Sequence, residues 1–161
     1  MLFRRSFVGV LALAVAAPAS AHGPGHAMSG GKLGEAGKVT RVIDIVATDH
    51  AFSLKSLQVK DGETVRFVVR NDGFDPHELL IGTVAEHTEH RRMMRDMIEA
   101  QKAGGHKDAM PSMDHSSGIS VEPGRTATFV WTFKRTPDLE FACDIPGHYE
   151  DGMKGAITFS R

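Results

Sequence analysis

Along most of the chain, apolar and polar residues alternate in short runs bounded by turn residues. "KVTRVIDIVAT" from Lys38 is rich in β-branched residues, and "SLQVKDGETVRFVVRNDG" from Ser56 holds two apolar runs separated by Asp61-Gly62-Glu63 and closed by Asn71-Asp72-Gly73. "HELLIG", "ISVEPGRTATFVWTF", "LEFACD" and "KGAITFS" continue the pattern, punctuated by Pro123-Gly124 and Thr136-Pro137-Asp138. Each run has strand length and period, and each break has turn chemistry. Many short strands at this spacing predict an all-β sandwich. One stretch departs from the pattern: "TVAEHTEHRRMMRDMIEAQKA" has no β-branched run, is rich in helix formers and is stopped by Gly104-Gly105. It predicts a helix, followed by the polar loop "GGHKDAMPSMDHSSG". Helix and loop form an insertion at about 83–118 between two strands, longer than a sandwich connection needs.

The first 38 residues carry a different signal. Residues 1–21 open with Arg4 and Arg5, run apolar from Phe7 to Ala17 and close on Ala19, Ser20 and Ala21, the layout of a secretory signal peptide cut before His22. The apolar run is about half of the ~20 residues that span hydrocarbon, so a membrane anchor is not expected. Residues 22–38, "HGPGHAMSGGKLGEAGK", are Gly-rich without an apolar period and read as a flexible lead-in. Order is expected to begin near Val39, giving one domain over 39–161. The expected location is the periplasm. A net charge of −1 leaves no basic footprint, so nucleic acid is not an expected partner.

Export sharpens the meaning of the one cysteine in the chain. Outside the cytoplasm thiols usually pair, and Cys143 has no second cysteine to pair with. It is a buried inert thiol, a dimer link or a metal thiolate. In "FACDIPGHYEDGMKG" it starts the spacing C-x4-H-x4-M, with His148 and Met153, while His77 lies far upstream after a predicted strand, in "DPHELL". Two imidazoles and a thiolate make a trigonal copper site, and a thioether supplies a weak axial ligand. Soft sulfur favours Cu(I) and imidazole suits both oxidation states, which fits one-electron exchange. Taken singly, Cys143 is a core hydrophobe, His148 a turn residue, Met153 a core filler and His77 a strand end; together in an exported chain they point to copper.

At these residues the chain resembles the cupredoxin family of blue copper proteins. The resemblance runs from about Val39 to Phe159 through "LQVKDGETVRFVVRNDG", "PHELLIG" and "FACDIPGHYEDGMKGAITF". It implies a Greek-key β-sandwich with one type 1 copper near one end, held by His77, Cys143, His148 and Met153. Many members carry Asn or Ser directly after the upstream histidine, where this chain has Glu78, a carboxylate that can alter potential and colour, so a plain blue site is not expected and a green one is open. The helical insertion is absent from small electron-carrier cupredoxins, and its His and Met content is similar to that of bacterial copper-tolerance cupredoxins.

Within the insertion His87, His90, Met94, Met97 and Ile98 recur at spacings of three and four and share one helix face. That face either packs on the sandwich or, through His87, His90, Met94 and Met97, takes further copper ions. His106, Met110, Met113 and His115 repeat the same ligand types beyond the helix. Arg91, Arg92 and Arg95 count against copper here unless they lie on other faces. At the new amino terminus, His22 offers an α-amine and an imidazole to Cu(II). Two functions compete: a copper-tolerance factor that binds or oxidises excess copper, and a soluble electron carrier whose insertion recognises a periplasmic redox protein. A monomer is expected, and an enzyme is not. The trinuclear cluster of a multicopper oxidase needs His-x-His pairs, and a dinuclear copper centre needs two cysteines; the chain has neither.

Overall fold

The computed structural model describes residues 29–104 and 117–161. The predicted signal peptide, His22 and the loop carrying His106, Met110, Met113 and His115 lie outside the described residues. Ten strands form two five-stranded sheets. The first sheet runs β1(Gly31–Leu33), β8(Thr126–Phe133), β5(Thr64–Asn71), β2(Arg41–Thr48), β3(Ala51–Phe52). The second runs β4(Ser56–Val59), β10(Lys154–Phe159), β9(Leu139–Ala142), β6(His77–Thr83), β7(Gly118–Val121). β2 pairs parallel with β5, and β4 parallel with β10; the other pairs are antiparallel. This is the expected Greek-key β-sandwich. Asp61-Gly62-Glu63 does not close a hairpin, because β4 and β5 belong to different sheets and the turn carries the chain from one to the other.

Alternation explains the core. Along β5, Val65, Phe67, Val69 and Asn71 turn inward, and along β8, Phe129, Trp131 and Phe133 do the same. They meet Leu79, Ile81, Phe141 and Ile157 of the second sheet. Cys143 and Met153 belong to this same apolar cluster, so the candidate ligands sit on the end of the core rather than on a surface loop.

The one α-helix among the described residues, α1(Val84–Lys102), lies between β6 and β7, where the insertion was expected. Its start is written in the sequence as T-x-x-E: the Thr83 side chain accepts from the Glu86 backbone N–H, and the Glu86 carboxylate accepts from Thr83 N at 2.7 Å. The expectation of a flexible lead-in over residues 22–38 is corrected in its second half. Gly31–Leu33 pairs with β8, and Trp131 Nε1 donates to Gly30 O at 3.1 Å. A Cβ on Gly31 would stand 2.6 Å from the Trp131 indole nitrogen and 2.1 Å from Thr132 O, so this glycine permits close approach to the core. Composition alone reads the same glycines as slack.

Candidate metal centre

β6 begins at His77, β9 ends one residue before Cys143, and β10 begins one residue after Met153. His148 sits in the loop between the last two. That loop braces itself: Cys143 N donates to Met153 O, Met153 N to His148 O and His148 N to Ile145 O, each at 3.0 Å. His77, Cys143, Met153 and His148 are all buried. The His77 and His148 Nδ1 atoms lie 3.2 Å apart, and Cys143 Sγ is 3.4 Å from His148 Nδ1. Among the described residues these three form the one group whose ligand atoms all fall within 4.8 Å of one another.

These separations fit a first-row ion. Two imidazole nitrogens each ~2.0 Å from one ion stand about 3.2–3.5 Å apart at ordinary angles, and a nitrogen and a thiolate sulfur about 3.3–3.6 Å apart. Without a cation, two lone pairs and a sulfur converge in a buried space that few protons can satisfy. The donor types, two imidazoles and one thiolate, are those of a copper electron-transfer site.

Each donor is poised by its surroundings. Burial, and next the nearby His148, push the His77 imidazolium below its usual range, which favours the neutral ligand form. The outer nitrogen of His77 is 3.5 Å from Asp49 Oδ1, and that oxygen accepts from Phe74 N at 2.9 Å and Asp75 N at 3.3 Å. A carboxylate facing Nε2 favours the tautomer that leaves Nδ1 free. Gly73 makes room for this contact: a Cβ there would lie 2.2 Å from Asp49 Oδ1 and 2.9 Å from His77 Nε2. The buried Asn71 amide ties the same loop down, donating to Asp75 O at 2.8 Å and Val121 O at 2.9 Å. Burial raises the Cys143 thiol to about 12, against the pull of N–H donors from Glu78 and Ile145. Its sulfur accepts from Glu78 N at 3.4 Å.

Sequence reasoning did not single out Asn71, Asp49, Asp144 or Tyr149 as site residues, and it weighed Arg91 only as a cation opposed to copper. Asp144 is completely buried behind Cys143, and its Oδ2 accepts from His87 Nδ1 and from His90 Nδ1, both at 2.9 Å. Burial works to raise the Asp144 carboxyl, but the bonds from His87 and His90 outweigh it and hold it below the usual range. The bond to Asp144 raises His90 correspondingly. Arg91 stands on the inner face of α1, not an outer one: its Cζ lies 3.5 Å from the Tyr149 ring centroid, and its Nη1 is 3.5 Å from Asp144 Oδ1. The spacing of four from His87 carried that information. Lys154 Nζ faces the Tyr149 ring at 3.8 Å, and Tyr149 OH donates to Glu140 Oε1 at 2.6 Å. Met94 and Met97 are half-buried further along the helix.

A sequence model of the copper-binding proteins of the plastocyanin/azurin family matches residues 39–160. The copper-resistant cuproprotein CopI of Pseudomonas aeruginosa is 38% identical over 156 residues, covering 84% of this chain and 84% of that protein. CopI of Rubrivivax gelatinosus is 37% identical over 146 residues, covering 86% of this chain and 81% of that protein. Among solved structures, auracyanin B superposes with a TM-score of 0.56 at 19% identity, over 83% of this chain and 97% of that one. The reduced auracyanin of Roseiflexus castenholzii gives 0.55 at 24% identity, over 76% of this chain and 98% of that one. Two sheets, a buried His-Cys-His cluster at their end and a family match spanning both lead to one conclusion: the chain belongs to the plastocyanin/azurin family of copper-binding proteins, the cupredoxins, and its cofactor is copper.

Proposed function

We propose that this is an exported copper-tolerance protein of the periplasm that holds one type 1 copper through His77, Cys143, His148 and the axial Met153. The observation that carries the reading is the convergence of two Nδ1 atoms and one thiol sulfur in a buried space closed by a self-braced loop. Copper bound there supplies one-electron exchange between Cu(II) and Cu(I). The protein's part is to keep His77 neutral and both imidazoles oriented, to keep water from the sulfur, and to change little between the two states. The relatives are copper-resistant cuproproteins, which supports tolerance over simple electron carriage. No helix among the described residues is long and apolar enough to cross a membrane. Residues 1–21 support export, with a mature chain that begins at His22.

The test is complementation. Cells lacking the protein are given wild type or Cys143→Ser and grown in rising copper, while the purified proteins are compared for bound copper and for the thiolate-to-Cu(II) band. The expected result is a colourless Cys143→Ser that fails to restore tolerance. A coloured Cys143→Ser would sink the ligand assignment, since the chain has no other thiol. Full tolerance with a colourless variant would instead separate tolerance from this site. Unchanged tolerance but slower electron flow on deletion would favour the electron-carrier reading.

A further inference from the structure

The residues that follow three of the ligands share a direction. At the start of β6 and just past the end of β9 successive side chains point to opposite sides, so where His77 and Cys143 face the site, Glu78 and Asp144 face away; Tyr149 follows His148 in the turn that closes the loop. What all three face is α1. Asp144 receives His87 and His90 on one oxygen and Arg91 near the other. Tyr149 lies under Arg91, and Glu150 Oε1 is 3.3 Å from Arg91 Nε. Glu78 is buried, feels the charges of His90 and His87, and accepts the backbone N–H of Asp144. Its own N–H donates to Cys143 Sγ. An unbroken path therefore runs from His87 and His90 through Asp144 and Glu78 to the sulfur.

We propose that α1 is a brace for the ligand loop, in which His87 and His90 are positioning residues that fix Asp144 and, through it, the Cys143 sulfur and the Glu78 N–H that bonds it. This deepens the proposed copper site and rests on that reading. Hydrogen bonding around a ligating sulfur tunes both affinity and electronic structure, so the brace acts on the metal without touching it. It also assigns the two histidines a role other than capture of a second ion. Both Nδ1 atoms are committed to one carboxylate oxygen, and these residues do not form a three-ligand group with converging atoms. His87 Nε2, however, is buried with no hydrogen-bond partner among the described residues, so the experiment must separate the two roles.

His90, the more exposed of the pair, is the site to vary. The amide nitrogen of Asn falls where the imidazole Nδ1 stands, whereas that of Gln falls nearer Nε2. His90→Leu, His90→Gln and His90→Asn are compared with wild type in the full protein. Copper per chain, affinity by chelator competition, the charge-transfer band and the reduction potential are measured, with far-UV circular dichroism as the check on folding. The brace predicts unchanged copper per chain, a displaced band and potential, and affinity lowered about 10-fold or more in His90→Leu and His90→Gln. His90→Asn should restore all of these. His90→Gln keeps a polar side chain, so the comparison stands even if His90→Leu does not fold. A folded His90→Gln with wild-type band and affinity overturns the brace. So does loss of copper per chain with an unchanged band, which would make His90 a ligand to a second ion. Cys143→Ser, run in parallel, must be colourless; if it is not, the underlying copper assignment has failed, which is a different result from an unaffected His90→Gln.

Discussion

The buried thiol offers the sharpest quantitative check on the site. In the metal-free protein Cys143 sits in the apolar cluster, and its thiol is raised from an ordinary 9.0 to about 12. A rise of that size makes removing the proton costlier by ~4 kcal/mol, which metal binding must offset. The sign follows from proton counting. Between about 9 and 12 the unfolded chain has lost the thiol proton and the folded chain has kept it. The contribution to apo-protein stability is therefore whole below about 9 and is lost as pH rises toward 12. At pH ~10 the folded apo-protein should hold about 1% thiolate and the denatured chain about 90%. Thiolate ultraviolet absorbance measures the fraction directly, with denatured protein as the internal standard. Proton release on adding copper in weak buffer at pH ~8 should give one proton per ion from this thiol, absent in Cys143→Ser. If the folded apo-protein is half ionised by pH ~10, desolvation does not control this sulfur and the buried geometry is wrong.

Two further outcomes test the frame around the site. Met153→Leu should keep the visible band while raising the reduction potential, because a weak axial thioether tunes the ion rather than holding it; a colourless Met153→Leu would make the thioether a holding ligand. Gly155→Ala adds a Cβ 2.1 Å from Phe141 Cζ and 2.8 Å from Lys55 O, two residues past Met153. Thermal melting should show a loss of roughly 1–3 kcal/mol from overpacking, and an unchanged melting temperature would mean that β10 has slack beside the site.

The strands and the loop of candidate ligands were legible because each depends on local pattern. β2, β4, β5, β6, β8, β9 and β10 follow runs that alternate or cluster apolar residues, and Cys143, His148 and Met153 share one short loop. What escaped the reading depends on distant partners. Nothing near Asn71 in sequence announces that its amide will hold Asp75 O and Val121 O. The pair Ala51–Phe52 is too short to show a period, yet it completes an edge of the first sheet. Gly30 and Gly31 look like linker until Trp131, a hundred residues later, packs against them.

The helix shows where composition misleads most. His87, His90 and the nearby methionines suggest soft-metal capture when only residue types are counted. In the fold the inner face of the N-terminal half of α1 carries His87, His90 and Arg91, and what it meets is Asp144, Glu78 and Glu150. That is a basic surface set against buried and half-exposed carboxylates, and a cation such as Arg91 held 3.5 Å over Tyr149 repels rather than invites a copper ion. Charge complementarity thus directs this half of the helix toward the protein's own ligand loop. Met94 and Met97 lie beyond it, half-buried on the same helix and away from the carboxylates that engage His87 and His90.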